Sequence, residues 1–408
     1  MIESVEVKNF KCFQGNRRFD LGHVTLLAGV NGVGKSSLIQ GLLLARQSHP
    51  DWKELRLNGD LLELGQTNDA FCADAEDDEL RFALIVQPGK RLAWRYRFTE
   101  DRFELIEAPA DVGGCALFGS RCHYICADRW GPRRLLPMSR HDIAHGNLGK
   151  YGEYTAHYLE TFGDRQLPEI NPRLPVRNPD EGKDLLHQVQ EWLNELSPGT
   201  RLEPKVFREL NESTLTFAFR GEFGYSRGYR ATNVGFGLSY TLPIIVALLS
   251  LPPGGLVILE NPEAHLHPRG QTIMGRLIAL AAAGVQVIVE THGDHVLNGI
   301  RIAVREGLLA PEPGGLSLFH PYRTGCYRDR LAPYRCGRQA RQLAGGLLRR
   351  RYQESRGPVV AACSGAAEQR GSGVRPQLVF NDLSVRETQS RQTAAQWLSD
   401  MVQTIADP

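Results

Sequence analysis

The sequence has eight cysteines but no CxxC pair, the closest two being Cys122 and Cys126. In a chain of 408 residues such scatter argues against a disulfide scaffold and for free thiols in a reducing compartment. Long apolar runs are missing as well. LPIIVALLSL and LIALAAAGVQVIV are the longest, and both are too short to span a bilayer. The opening MIESVEVKNF alternates and carries charge, unlike a signal or transit peptide. The expectation is a soluble, cytoplasmic protein with no membrane partner. A net charge of only +2 selects no partner, because clustering and not balance makes a nucleic-acid surface. No heptads are sustained, which excludes a long coiled-coil insertion. Lysine is absent after Lys205, and residues 321–357 hold ten arginines against two acids.

What is present is ordinary for a globular chain: 42% apolar and 23% charged residues. IESVEVK alternates as a half-exposed strand, and RFDLG is its candidate antiparallel partner. VTLLAGV is a continuous apolar strand that runs into a glycine-rich turn and then the helical spacing of SSLIQGLLLARQ. Between about residues 52 and 126, LRFALIV, LAWRYRF and HYICA are strand candidates for an antiparallel sheet beside the core. Helical patterns follow in YTAHYLETF and KDLLHQVQEWLNEL. From TLTFAFR onward strands and helices alternate, which predicts a mostly parallel sheet covered on both faces. The expected division is 1–50 (first part of the core), 51–150 (β-rich subdomain), 151–213 (helical insertion), 214–318 (second part of the core) and 319–408 (an atypical arginine-rich, poorly ordered tail).

GVNGVGKSS, residues 29–37, contains G-x-x-x-x-G-K-S between a buried strand and a helix. The glycines let successive backbone N–H groups turn toward phosphates. Lys35 is suited to the β- and γ-phosphate oxygens and the Ser36 hydroxyl to magnesium. Asn31, Gly32, Gly34 and Ser37 complete the candidate nucleotide-binding loop. No N-K-x-D guanine-reading motif is present, which favours ATP over GTP.

The apolar run LVILE ends at Glu260, where ligands of a parallel sheet bind, so Glu260 is the candidate magnesium carboxylate. The next residue is Asn261, and the next acid is Glu263. THGDH follows the next buried strand and puts His292 at its end, in reach of a γ-phosphate or a water. His265 and His267 in one loop, with His292 and His295 in another, leave a metal site as a competing reading. TNVGFGLSYTLPII carries Gly237 and Ser239 at a helix start, where an exposed hydroxyl could meet a phosphate.

Taken in order, GVNGVGKSS, NVGFGLSYTLPII, LVILENPEAHLHP and VETHGDHVLN resemble ABC-type ATPase heads. They are most similar to the bacterial group related to RecF, SMC proteins and the OLD-family ATPases of phage defence, and the first strand with its NFKCF turn is similar too. The resemblance implies an α/β P-loop NTPase of ABC-head type: a mostly parallel sheet flanked by helices, with an antiparallel β subdomain and a helical insertion. It also implies ATP and Mg2+ as cofactors and a homodimer sandwiching two ATP molecules. Gly237 and Ser239, at the signature position, would complete the partner's site. It implies catalytic roles for Lys35, Glu260 and the switch histidine His292. Arg133, Arg134 and Glu153 would line the site or its adjoining loops.

Two departures matter. Asn261 stands where the usual acid pair has its catalytic base, and Gly293 stands where a serine is common. An amide orients water but cannot take its proton, so either Glu263 replaces the base or turnover is slow. The expected function is an ATPase regulating a DNA-processing or phage-defence assembly, with an effector nuclease or other protein as partner. A RecF-like repair ATPase binding DNA directly, and an ATP-dependent switch with negligible hydrolysis, are the alternatives. The tail departs most. Relatives carry a W-P-x-G-F-F-D segment, whereas Leu343–Tyr352 reads LAGGLLRRRY, and one DNA string encodes both in different frames. The expectation is a frame-shifted reading from about residue 320, set against a basic DNA-binding arm and a zinc site from His320, Cys326 and Cys336.

Overall fold

A computed structural model describes residues 1–29 and 31–309, and the backbone of 310–311 and 377–378. The frame-shift reading, the WPxGFFD counterpart and the His320, Cys326 and Cys336 set lie outside the described residues.

Alternation at the N-terminus produces the hairpin β1 (Ile2–Phe10) and β2 (Phe13–Asp20), paired antiparallel. Its tight turn puts Asn9 and Lys11 at left-handed φ of 54° and 50°. The apolar VTLLA forms β3 (Val24–Ala28), and the glycine-rich turn after it delivers the chain into α1 (Lys35–Ser48). A short α2 (Thr67–Ala70) precedes β4 (Glu79–Val86), β5 (Lys90–Phe98) and β6 (Phe103–Glu107). These three strands join the hairpin in a five-stranded antiparallel sheet, order β2-β1-β4-β5-β6.

HYICA supplies β7 (Cys122–Ile125), followed by β8 (Leu136–Pro137) and α3 (Arg140–Ala144). Helices α4 (Thr155–Phe162), α5 (Leu167–Ile170) and α6 (Leu185–Leu196) come next. The segment 151–213 is not wholly helical, because it also holds β9 (Thr200–Phe207), paired antiparallel with β10 (Glu212–Gly221). Short strands β11 (Gly224–Tyr225) and β12 (Tyr229–Arg230) add to that small sheet, as does β8.

The remaining elements alternate: α7 (Phe236–Leu249), β13 (Leu256–Glu260), α8 (Pro268–Ala281), β14 (Gln286–Thr291) and α9 (Asp294–Arg305). Strands β3, β14, β13 and β7 pair in parallel, and two-residue strands at 310–311 and 377–378 extend the β3 edge. HYICA therefore belongs to the parallel sheet and not to the antiparallel one. Buried His123 shows why: it sits on a strand covered from both faces.

Alternate residues of the parallel strands serve two cores. Leu26, Leu259 and Val289 face one core with α7, α8 and α9, while Leu27, Ile258 and Ile288 face the other with α1 and the antiparallel sheet. Two-sided burial is the physical reason these strands read as unbroken apolar runs. Helix α7 is apolar nearly all round, as a helix enclosed on all sides must be. Buried Gln286 binds the N-terminus into this layering: its amide donates to the carbonyls of Ile2 (2.7 Å) and Gly22 (3.0 Å) and accepts from the Ile2 N–H at 2.9 Å. Helices α8 and α9 touch backbone to backbone. A Cβ on Gly275 would lie 2.2 Å from the Val296 carbonyl oxygen, so α9 is held tightly just behind the loop that carries His292.

Candidate functional site

β3, β13 and β14 lie side by side and in parallel, so their carboxyl ends open on one edge, where such sheets bind ligands. A cleft of about 510 Å³ lies there, and its walls include Asn31, Gly32, Gly34, Lys35, Ser36, Ser37, Glu260 and His292. Sequence positions more than two hundred residues apart are thus gathered around one space.

Gly34 is the N-cap of α1 at φ 102°, and a Cβ there would lie 2.8 Å from the Cys12 sulfur and 2.9 Å from the Phe13 ring. Both conformation and space demand glycine, so the loop can close against the β1–β2 turn only without a side chain. The Lys35 ammonium donates to the Gly29 carbonyl at 3.0 Å. Burial depresses the Lys35 pKa, and the nearby Glu290 charge opposes that shift. Ser36 is exposed to the cleft and donates to Glu290 Oε1 at 2.8 Å.

Glu260 is held from the side of β7. Tyr124 Oη donates to one carboxylate oxygen at 3.1 Å and the Ala127 N–H to the other at 2.9 Å. Burial raises its pKa, which the Ala127 bond lowers and the Glu290 charge raises again. Buried Arg129 fixes the loop beyond, donating to the carbonyls of Cys126, Tyr240, Glu260 and Asn261. Asn261 takes a left-handed φ of 44°, lines the cleft, and leaves its Oδ1 without a hydrogen-bond partner.

Glu263 does not line the cleft. Its carboxylate accepts from Thr291 Oγ1 and from the His292 N–H, both at 2.7 Å, and so clamps the loop that presents His292. To act as a base in the cleft it would have to leave this clamp.

The start of α7 differs from the expectation of an exposed hydroxyl. The helix begins at Phe236, so Ser239 lies one turn inside it and on the same face as Pro243. It is 5% exposed, its Oγ has no partner, and it lines a small cavity with Trp130, Arg133 and Gly152. What the helix start exposes is Gly235 and Phe236. Gly237 packs under the His265 carbonyl, which a Cβ would approach to 2.8 Å.

Arg133, Arg134 and Glu153 are not cleft residues. Arg133 stacks on Trp130, the Arg134 carbonyl accepts from Thr214, and Glu153 accepts from the Tyr151 N–H. His265 packs on Phe236 and Tyr240, and His267 caps α8. Among the described residues no three of His265, His267, His292 and His295 bring ligand atoms together.

Residue-by-residue reading missed Glu290, Lys11 and Cys12, which also line the cleft. The signal for Glu290 was present: VQVIVE ends its apolar run in an acid, just as LVILE does. Lys11 and Cys12 could not be placed without the hairpin turn that folds over the loop; Cys12 donates to Ser37 Oγ at 3.6 Å.

The residues present fit a magnesium-bound nucleotide: a cradle closed by Gly34, an exposed Ser36 hydroxyl, and a buried Glu290 oxygen with no partner. Among the described residues no helix is long and apolar enough to cross a membrane. Similar solved structures include the SMC head domain from Thermotoga maritima (13% identity, TM-score 0.40, covering 73% of this chain and 91% of that one). An Smc head bound to the C-winged helix domain of ScpA is similar at 16% identity and TM-score 0.43, covering 73% and 92%. No protein of curated function matches. A family model matches residues 24–298, from the first parallel strand to the helix beyond the loop that carries His292. That span is more than half of the sequence, and the chain accordingly belongs to the family described as AAA domain, putative AbiEii toxin, Type IV TA system.

Proposed function

We propose that the protein binds and slowly hydrolyses MgATP as an ABC-type head, and that its nucleotide-bound form dimerises to control a partner protein. The carrying observation is the convergence of Lys35, Ser36, Glu260 and His292 on one cleft at the ends of parallel strands. Lys35 would serve the β- and γ-phosphates, Ser36 and Glu260 a magnesium ion, and His292 the γ-phosphate. A magnesium ion in such a site offsets phosphate charge. Asn261 Oδ1, unpaired at the cleft wall, can accept from an attacking water and orient it. It cannot take the proton, which must then pass to a phosphate oxygen. That limit is the basis for slow turnover.

A second reading, a switch with negligible hydrolysis, is favoured by the same amide and by the engagement of Glu263 with the His292 loop. Phosphate release with ATP in excess over the protein separates the two. Steady release that falls by roughly a hundredfold in Lys35→Ala supports the ATPase, on the scale of losing one charged transition-state contact. Bound ATP that persists unhydrolysed in a stable dimer supports the switch. No binding of ATP at all defeats both.

The partner is proposed to be an effector protein, such as a nuclease, in a DNA-processing or defence assembly. Salt-dependent binding of the purified protein to DNA would instead favour direct action on nucleic acid.

A further inference from the structure

Glu260 and Glu290 stand opposite one another in the register of β13 and β14. Residues paired across parallel strands present their side chains on the same face, and both of these line the nucleotide cleft. The two carboxylates are not equivalent. Each Glu260 oxygen already accepts from a protein donor, Tyr124 Oη or the Ala127 N–H. Glu290 is 6% exposed, and its Oε2 has no hydrogen-bond partner. A buried carboxylate oxygen without a donor is costly unless something positive meets it.

The other Glu290 oxygen explains its neighbour. A serine hydroxyl that offers its lone pairs to a cation must send its proton elsewhere. Ser36 sends it to Glu290 Oε1, at 2.8 Å. Glu290 therefore turns the Ser36 oxygen outward and keeps one of its own oxygens open beside it.

We propose that Glu290 is a magnesium ligand of this site, so that the carboxylates around the ion come from two adjacent strands. The proposal rests on the reading of the cleft as an ATP site. Glu260, bound by protein donors, then completes the charge around the ion, and the lack of a base at Asn261 is unaffected.

The test uses Mn2+ as a probe of the magnesium position, followed by electron paramagnetic resonance with ADP bound. Fluorescence of the ATP analogue TNP-ATP in EDTA reports nucleotide binding without metal. Glu290→Gln should weaken Mn2+ by roughly tenfold or more, the smallest loss that removing even an outer metal partner tends to cause. Its TNP-ATP binding in EDTA should stay at the wild-type level. Glu290→Asp, which keeps the charge, should fall between, and it decides the matter if the glutamine variant does not fold. Wild-type Mn2+ affinity in Glu290→Gln overturns the proposal, as does an equal loss of metal-free nucleotide binding, which would make Glu290 a prop for the loop. Failure of the wild-type protein to bind TNP-ATP overturns the ATP reading itself and is distinguishable from both.

Discussion

Glu263 illustrates how a residue's bonds constrain its role. It is the next acid along the chain after Asn261, yet its two oxygens accept from Thr291 and His292 outside the cleft. Hydrogen bonds to a charged group contribute about 1.5–3 kcal/mol each, so freeing this carboxylate carries a cost. As a clamp, Glu263 should tolerate Gln better than Ala. Glu263→Ala is expected to lose about 1–3 kcal/mol of stability and to slow turnover, with Glu263→Gln recovering most of both. Urea melts and phosphate release measure these. Hydrolysis abolished in Glu263→Gln at unchanged stability would instead make it the base. Arg129 belongs at this scale too. One buried guanidinium serves four carbonyls, two of them around Glu260 and one on α7, so it joins α7 to the acidic strand end.

Among the elements, β7 has the most testable feature. It lies at one edge of the parallel sheet with His123 completely enclosed, its ring 3.2 Å from Ser250 Oγ. Burial, aided by the positive charge of Arg46, drops the His123 pKa from 6.5 to about 3. The folded protein thus holds this histidine neutral where the unfolded chain would protonate it. Stability from this group is complete above pH 6.5 and declines as pH falls toward about 3. Thermal melts of the wild type should lose midpoint temperature across that window. His123→Leu should flatten this component of the slope, although its midpoint at neutral pH will be lower because Ser250 loses one of its partners. An unchanged slope would mean that the strand opens locally and lets the ring charge in water.

For the whole molecule the proposed dimer turns on the start of α7. In the proposed dimer, the exposed start of α7, with Phe236 45% exposed and resting on His265 and Tyr240, is the surface offered to the partner. Ser239, buried one turn further on, can contribute only if that helix start shifts or a ligand reaches into its cavity. Under the dimer reading, MgATP should double the mass seen by light scattering. Phe236→Asp should keep TNP-ATP binding while abolishing the mass change, since a buried interfacial charge without a partner is strongly disfavoured. A mass that never changes with MgATP in the wild type counts against the sandwich.

The chain's own pattern determined the layered α/β class, the phosphate loop and the placing of Glu260 and His292. Each is a local signal: apolar runs of strand length, glycine where the backbone must turn, a polar residue where a buried strand ends. The structure decided which residues meet. Cys122–Ile125 joins the parallel sheet because it is covered on both faces, which no run of four residues declares. Glu263 turns to the His292 loop and not to the cleft, and Ser239 points inward, because a helix or loop start one residue earlier or later re-aims a side chain completely. Glu290 carried the same signature as Glu260, but its importance depends on register. Only the pairing of β13 with β14 brings the two acids level, beside a serine more than two hundred residues away in sequence.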